Sequence, residues 1–299
     1  MMNLYMAREV GLLRYVVRRL LWRGIRIAGK ALSFDFWPWH LSDGTRMKLP
    51  LNSPFASDIF CTNNLVDWGA ETLLLNYLQS CQKGVALDVG ANMGYYSCLL
   101  SSSVNQVFAF EPDERNHQDF LRHKPDNVEL VAMAVSDVSG IMSFDVSSAS
   151  TISHLLTDEQ SASKTVAVEV TTIDSFIHNH RHAAPVRVVK MDIEGFEILA
   201  LKGSTELISR DQPLFLIEYA LESGVPNSID ALHDFLAHHD YCMYALARTP
   251  AAFWRYETRL QKIQARDIPC LDIKMLFLVP PSALTWFEAK EAEEFCSGV

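Results

Sequence analysis

The 299-residue sequence has few cysteines, and no two of them form a metal-binding pair. Its six cysteines are spread along the chain without a C-x-x-C motif. This spacing excludes a zinc ribbon and gives no sign of a compact disulfide framework. A reducing compartment fits such a chain best.

Long apolar runs are also missing. No stretch approaches the roughly 18 apolar residues that a membrane-spanning helix needs. The first residues lack an uninterrupted apolar segment followed by a small-residue cleavage site, the pattern of a secretory signal. We therefore expect a cytoplasmic protein.

Basic residues are scarce relative to acidic ones. Asp and Glu number 36 against 26 Lys and Arg, so the formal charge is −10. This balance argues against a surface built to hold nucleic acid, and we expect no nucleic-acid partner. Residues 1–32 are the exception, because seven basic side chains and one acid give them +6 and leave −16 for the rest.

The basic segment has the periodicity of an amphipathic helix. Across residues 6–30, arginines alternate with aliphatic side chains at intervals of three to four residues. Two alternatives follow: a helix packed on its own domain or on a second copy, or a helix lying on the inner membrane surface. We expect residues 1–68 to form an N-terminal extension of this helix plus an aromatic-rich, partly β segment, and residues 69–299 to form the main domain.

From residue 69 onward, short apolar runs alternate with helical stretches. This order is typical of an α/β domain in which helices cover both faces of a mostly parallel sheet. The closeness of the fourth and fifth runs suggests a hairpin-like insertion, and the last two runs suggest an antiparallel pair that closes the sheet. The strand candidates are Val85–Val89, Val107–Phe110, Val128–Val135, Gly140–Val146, Val166–Thr172, Val186–Met191, Leu214–Tyr219, Tyr241–Leu246 and Ile273–Val279.

A glycine-containing turn follows the first of these strands. Gly90 and Gly94 stand where the strand passes into a helix. Glycine permits a tight turn with close approach of a ligand, and a helix N-terminus favours anionic groups. The spacing differs from Gly-x-Gly-x-x-Gly, the motif of dinucleotide-binding proteins, and from the P-loop that binds a triphosphate. We therefore expect a nucleotide-like cofactor of another kind.

An acid ends the second strand. Glu111 lies 17 residues beyond Gly94, near the position from which a carboxylate reaches a ribose. A carboxylate can accept two hydrogen bonds from a vicinal diol. The turn and this acid together indicate an adenosine-type ligand.

Four ordered motifs, spread over residues 84–220, resemble the FkbM family of S-adenosylmethionine-dependent methyltransferases. The motifs are Leu87–Ser97 (LDVGANMGYYS), Phe110–Pro112 with Asn116, Thr172–Ser175, and Lys190–Glu197 (KMDIEGFE) with Ala200–Gly203. The resemblance implies a class I, Rossmann-like methyltransferase with a seven-stranded sheet whose last strand is antiparallel. It also implies methylation of hydroxyl groups, often on sugars or natural products.

The resemblance further implies roles for residues at matching positions. Glu111 would bind the cofactor's ribose, and Ser136 and Asp137 would lie near its adenine. The residues expected to flank its methionine end are Asp88, Gly90, Asn92 and Gly94. Apart from the resemblance, Tyr95 and Tyr96 open the helix after the glycine turn, and we expect one of them to face the cofactor and the other the core.

Two acids follow the Val186–Met191 strand. Asp192 and Glu194 should lie on one side of the chain at the rim where α/β sheets bind ligands, and Glu218 at the end of the next strand would join them. Their roles stay open: general base, ligands for a divalent metal, or acceptors for the cofactor's amine. A fourth alternative is structural, the capping of the next helix.

Histidines supply a further candidate base. His154 lies in the insertion expected to cover the substrate, and the unperturbed pKa of histidine suits proton transfer. His178, His180 and His182 form H-x-H-x-H in a polar stretch before Pro185, for which we expect a solvated loop rather than a metal site.

The sequence therefore predicts an S-adenosylmethionine-dependent O-methyltransferase whose acceptor is a sugar hydroxyl of a glycan or its precursor. Two alternatives remain: a hydroxyl of a macrolide-type metabolite, and a catalytically silent module that tethers other proteins.

Overall fold

The computed structural model describes residues 11–146, 164–180, 184–218, 229–250 and 256–293. The basic segment forms the helix α1 (Leu12–Leu32), followed by a hairpin of β1 (Phe36–His40) and β2 (Arg46–Pro50). The helices α2 (Pro54–Thr62) and α3 (Ala70–Ser80) then lead into the sheet. None of the described helices combines the length and apolarity needed to cross a bilayer.

A mixed sheet forms the centre of the domain. Five strands run parallel, which confirms the predicted mostly parallel sheet; their spatial order is β5 (Val128–Val131), β4 (Gln106–Phe110), β3 (Val85–Val89), β9 (Val186–Met191) and β10 (Leu214–Glu218). Consecutive residues of its strands enter hydrophobic clusters on opposite faces, because helices cover both.

Antiparallel strands close one edge of this sheet. β13 (Met275–Val279) pairs antiparallel with both β10 and β11 (Cys242–Pro250), which confirms the predicted closing pair. β12 (Tyr256–Ile263) pairs with β11 at the outer edge, so the sheet has eight strands among the described residues rather than the expected seven. The extra strand is amphipathic: its charged residues face solvent and alternate with buried ones.

The predicted insertion forms a second small sheet. β7 (Gly140–Asp145) pairs antiparallel with β8 (Thr165–Thr171), and β6 (Ala134–Val135) pairs parallel with β8. The expected continuous strand Val128–Val135 is therefore wrong: its first part belongs to the central sheet and its last two residues to the small one. The break lets the chain leave the central sheet above the carboxyl end of β4.

The remaining helices pack around the sheet. The extension and the main domain share one hydrophobic cluster, in which Tyr15 and Trp22 of α1 are buried together with Leu73 and Leu99. The helices are α4 (Tyr95–Ser101), α5 (Glu114–Leu121), α6 (Ile173–Asn179), α7 (Glu197–Lys202), α8 (Thr205–Asp211), α9 (Ile229–His239) and α10 (Leu284–Ala292).

Candidate active site

A cavity opens at the carboxyl ends of β3, β4 and β9, the edge at which parallel α/β sheets bind ligands. The turns after these strands form its floor, and β6 and Phe144 of the small sheet form one wall. Most of the predicted site residues line it. They are Gly90, Asn92, Tyr95, Glu111, Asp192 and Glu194.

The glycine turn after β3 depends on left-handed backbone conformations. Gly90 has φ +80° and Gly94 +87°, and Asn92 between them has +50°. A Cβ at Gly90 would lie 1.9 Å from the carbonyl oxygen of Asp192, so this position tolerates no side chain. The backbone N–H of Gly90 donates to the carbonyl oxygen of Phe110 at 3.0 Å, which ties the turn to the end of β4.

Glu111 lies beside this turn with its carboxyl group fixed from two sides. The backbone N–H of Asn92 donates to Oε2 at 2.7 Å, and that of Asp113 donates to Oε1 at 2.8 Å. Only 5% of Glu111 is exposed. Burial raises the pKa of this carboxyl to about 7, although the two backbone donors act in the opposite direction.

Asp88 lies behind the cavity wall rather than on it. Its Oδ2 accepts from the Ser97 hydroxyl at 2.5 Å, and burial raises its pKa. Its Oδ1 is buried without a hydrogen bond, and the Lys190 ammonium is 3.8 Å away. Asp88 therefore supports the turn and contacts the cavity only through Lys190.

The Lys190 ammonium group, which is on β9, contacts polar groups at the ends of β3 and β9. Its ammonium nitrogen lies 3.3 Å from both the Gly90 carbonyl oxygen and Asp192 Oδ2. Burial opposes ionisation of Asp192, but the Lys190 charge, a hydrogen bond from Glu218 and the Lys274 charge together outweigh it and lower the pKa of that carboxyl. Asp192 therefore lies in the cavity as a carboxylate.

Glu218 completes a group of three acids, as the sequence suggested. One carboxylate oxygen from each of Asp192, Glu194 and Glu218 lies within 4.8 Å of the others. The negative charge of Asp192, followed by burial, raises the pKa of Glu218 well above its usual value, and the two side chains share a hydrogen bond. The group has the oxygen chemistry of a site for a hard divalent cation, and metal binding there stays a prediction.

The loop after β9 is held by another acid. Glu197 accepts the backbone N–H groups of Ile193 at 2.8 Å and Gly195 at 3.1 Å. Glu194 has φ +54° and Gly195 +101°, so the chain turns sharply here. Glu197 thus stabilises the loop that follows Asp192, which itself lines the cavity.

Sequence reasoning missed a second charged pair in the cavity. The Lys274 ammonium lies 2.5 Å from Asp67 Oδ1, and the Tyr96 hydroxyl donates to Asp67 Oδ2 at 2.6 Å. The hydroxyl of the predicted Tyr95 donates to the Asn64 carbonyl oxygen at 2.7 Å, which fixes its ring beside the cavity. Asp67 and Lys274 stand in no motif, and only the fold brings them together.

The expected adenine residues lie just beyond the cavity wall. Ser136 is buried and its hydroxyl donates to Asp137 Oδ1 at 3.2 Å, whereas Asp137 is exposed. The residues just before them, Met133, Ala134 and Val135, form this part of the cavity wall. A role of Ser136 and Asp137 near an adenine stays a prediction.

The histidine candidates are only partly covered by the structure. His154 and His182 lie outside the described residues. His178 lies in the last turn of α6 rather than in the expected loop, and its side chain is exposed; the His180 ring stacks on Phe176 with 4.0 Å between ring centroids. In the part of the chain that the structure describes, the three acids at 192, 194 and 218 are the one group with metal-ligand geometry.

Comparison with known proteins identifies the family of this chain. Residues 88–243 match the family model of the methyltransferase FkbM domain. A hexuronic acid methyltransferase, AglP of Haloferax volcanii, is 31% identical over 128 residues, which are 42% of this chain and 51% of AglP. The chain thus matches about half the length of that relative.

Solved structures with a similar arrangement include two methyltransferases. An FkbM methyltransferase from Methylobacillus flagellatus has 17% identity and a TM-score of 0.41, with 76% of this chain and 55% of that chain covered. A SAM-dependent methyltransferase from Agrobacterium tumefaciens has 10% identity and a TM-score of 0.44, with 83% and 70% covered. The family model matches more than half of the sequence, and the chain belongs to the FkbM methyltransferase family.

Proposed function

We propose that this protein transfers the methyl group of S-adenosylmethionine to a hydroxyl group of a sugar, in a glycan or its precursor. The observation that carries the proposal is Glu111, a buried carboxyl group fixed beside a glycine turn in the cavity at the strand ends. A carboxylate there would accept both hydroxyls of a ribose, and the turn would admit the rest of the cofactor to close backbone contact.

The charges around the cavity fit this cofactor. Among the described residues, six acids stand in or against it, and two ammonium groups, Lys190 and Lys274, oppose them. Even with Glu218 protonated because of its raised pKa, the acids outnumber the ammonium groups. This balance favours a ligand that carries a sulfonium and an ammonium group. When bound, S-adenosylmethionine supplies a methyl group on an activated leaving group. The acids are Asp67, Asp88, Glu111, Asp192, Glu194 and Glu218.

The protein's own part in the reaction is to place the acceptor and take its proton. Asp192 is held as a carboxylate by Lys190 and would accept the proton of the sugar hydroxyl. Glu218, with its raised pKa, would donate a hydrogen bond to Asp192 and keep it oriented. Glu194, beside them, would accept a hydrogen bond from the sugar or from the cofactor's amine. A role of His154 as the general base stays a prediction.

The proposal of a sugar as the methyl acceptor depends on the similarity to AglP. AglP is a hexuronic acid methyltransferase, and it is 31% identical to this chain over 128 residues. We infer that an acidic sugar is a suitable first acceptor for this chain as well. Lys274, which lines the cavity next to Asp67, would face the acid group of such a sugar.

A transfer assay with methyl-labelled S-adenosylmethionine tests the proposal. The purified chain is incubated with glycosides of glucuronic acid and of glucose, and the products are identified by mass spectrometry and by the O-methyl resonance in NMR. We expect label in a saccharide product, with the Glu111→Gln variant strongly impaired. Glu114→Gln is the matched control, because this exposed acid lies three residues further on and outside the cavity.

Two results would overturn parts of this proposal. Label in a small non-saccharide product of a cell extract, with none in any sugar, would reassign the acceptor to a secondary metabolite. Absence of label from every product, despite cofactor binding, would favour the catalytically silent module.

A further inference from the structure

The outer face of α1 is a continuous apolar surface. Five aliphatic side chains on it are between 47% and 77% exposed. At about 100° per residue they fall on one side of the helix and extend for about 20 Å along it. We call this surface the apolar stripe; its members are Leu13, Val17, Leu20, Leu21 and Ile27.

The opposite face of α1 already packs on the protein. Tyr15 and Trp22 are buried there, and the Trp22 ring lies 5.0 Å from that of Phe60. The Arg18 guanidinium donates to the Phe60 carbonyl oxygen and to Asn63 Oδ1, both at 2.7 Å. These contacts fix the rotation of the helix, so the apolar stripe faces outward as part of the folded structure.

Positive charge flanks the apolar stripe on both sides. α1 contains no acidic residue, and four of its basic side chains are exposed. On a helical projection Arg14 lies along one border and Arg23 and Lys30 lie along the other, whereas Arg26 lies further round, nearer the face of Trp22. Phe34 and Trp37, both half-buried, line the groove beside the stripe.

The positive border continues past the end of α1. Arg26 and Lys30 line a neighbouring groove together with Arg115 of α5 and Arg122 just after it, although Asp35 and Asp119 line it too. Arg115 is ion-paired with Asp113, and Arg122 with Asp119. Basic side chains still outnumber these acids around the groove, which suits the headgroups of anionic lipids. The basic surface is thus wider than the helix alone.

We propose that the apolar stripe binds the surface of an anionic phospholipid bilayer, with α1 lying in the plane of the interface. Aliphatic side chains would enter the acyl boundary while the arginines and Lys30 contact lipid phosphates, which is the arrangement of interfacial helices. Half-buried aromatic side chains at the border suit the same region. The net charge of −16 on residues 33–299 makes the rest of the chain, taken as a whole, unfavourable for an anionic surface.

Charge favours a lipid surface over a second copy of this chain. Two copies meeting through the apolar stripe would bring together two helices that each carry only positive charges, and this repulsion opposes association. An anionic bilayer neutralises the same charges. The inference is independent of the proposed methyl transfer, because it concerns lipid binding alone.

Vesicle flotation of the full chain tests the inference. We expect the protein to float with vesicles of phosphatidylglycerol mixed with phosphatidylcholine, and to stay in the bottom fraction with phosphatidylcholine alone. High salt should weaken binding, because each basic side chain near an anionic surface contributes roughly fivefold in affinity. Failure to float with the anionic vesicles would overturn the proposal.

Surface variants test which face is used. We expect the triple substitution Leu13→Gln, Leu20→Gln and Ile27→Gln to lower vesicle binding at least about tenfold, since it removes most of the inserted apolar area. The matched control is Val138→Gln with Ile141→Gln, two aliphatic side chains equally exposed near or on β7. Circular dichroism and the melting temperature verify that each variant is folded.

Two further outcomes would also overturn the proposal. Equal flotation of the stripe variant and the control variant would show that another surface binds lipid. Light scattering that finds a dimer lost in the stripe variant, without vesicle binding by the unaltered chain, would assign the stripe to a second copy.

Discussion

Replacing Glu111 by glutamine removes a buried negative charge while nearly preserving the shape of the side chain. In the folded protein this carboxyl has a pKa of about 7, against an ordinary value of 4.5. The unfolded chain therefore ionises Glu111 at a lower pH than the folded chain does. The stability that this group contributes is fully present below about pH 4.5 and is lost as the pH rises through about 7.

The size of the effect follows from the two pKa values. Between about pH 5 and about pH 8, the Glu111 ionisation lowers the free energy of unfolding by about 2.5 kcal/mol. The Glu111→Gln variant has no such ionisation, so its stability relative to the unaltered protein should improve by that amount over the same range. Hydrogen bonds lost to glutamine cost about 1 kcal/mol each at every pH and cancel from this comparison.

Cofactor binding should change in the opposite direction. A ribose diol donates to the carboxylate in the proposed complex, and a hydrogen bond to a charged group contributes about 1.5–3 kcal/mol. We therefore expect the Kd for S-adenosylmethionine to rise about 10- to 100-fold in Glu111→Gln at about pH 8. Glu111 would thus be an acid kept for binding at a cost in stability.

Urea denaturation at several pH values, together with titration calorimetry at pH 8, measures both effects. Glu114→Gln, on the exposed first turn of α5, is the control and should change neither. If the difference in free energy of unfolding between Glu111→Gln and the unaltered protein stays constant with pH, the pKa of Glu111 is not raised by folding. An unchanged Kd would remove it from the ribose site.

Three further substitutions test the surrounding structure. Gly90→Ala should lower the free energy of unfolding by more than about 2 kcal/mol, because its Cβ would meet the Asp192 carbonyl oxygen; Gly44→Ala, with a similar φ of +88° but open surroundings, should cost only about 1 kcal/mol. Lys190→Met should cost about 3–5 kcal/mol in urea denaturation, since it leaves buried carboxylates without their cation. Asp192→Asn should lower kcat about 100-fold or more in initial-rate assays, whereas Glu218→Gln should lower it less than about tenfold because glutamine still donates a hydrogen bond.

Each of these expectations can fail separately. Equal destabilisation by Gly90→Ala and Gly44→Ala would mean that the turn after β3 has room for a side chain. A stable Lys190→Met variant would show that the nearby acids are protonated rather than paired. A larger rate loss in Glu218→Gln than in Asp192→Asn would assign the proton acceptor to Glu218.

The part of the site that the sequence predicts is local in the chain. Gly90, Asn92 and Gly94 stand within five residues, and the turn they form needs left-handed backbone conformations that few other residues adopt readily. Glu111 follows directly from the end of the next strand. In such cases the residue type and its position after a strand determine where the side chain lies, and long-range contacts add little.

The residues that the sequence did not predict depend on tertiary contacts. Lys274 and Asp67 are more than 200 positions apart, and nothing near either of them indicates a partner. The alternation of β12 is visible in the sequence only after its pairing with β11 shows which face is buried. Similarly, the sequence places Asp88 in the site, whereas the fold puts Lys190 between it and the cavity.

The helix α1 shows the same division between local and tertiary information. Periodicity predicts a helix there, and the structure has it at Leu12–Leu32. Periodicity does not determine which apolar residues pack inward, because aliphatic side chains occur on more than one side. The structure assigns the inner face to Tyr15 and Trp22 and leaves the apolar stripe outside.

Titration calorimetry of the intact chain with S-adenosylmethionine tests the proposed cofactor most directly. We expect one binding site per chain, similar binding of S-adenosylhomocysteine, and no binding of NAD, because the turn after β3 lacks the Gly-x-Gly-x-x-Gly spacing. The account predicts that the heat of S-adenosylmethionine binding is lost in Glu111→Gln and kept in Glu114→Gln. No binding to the unaltered chain would contradict it.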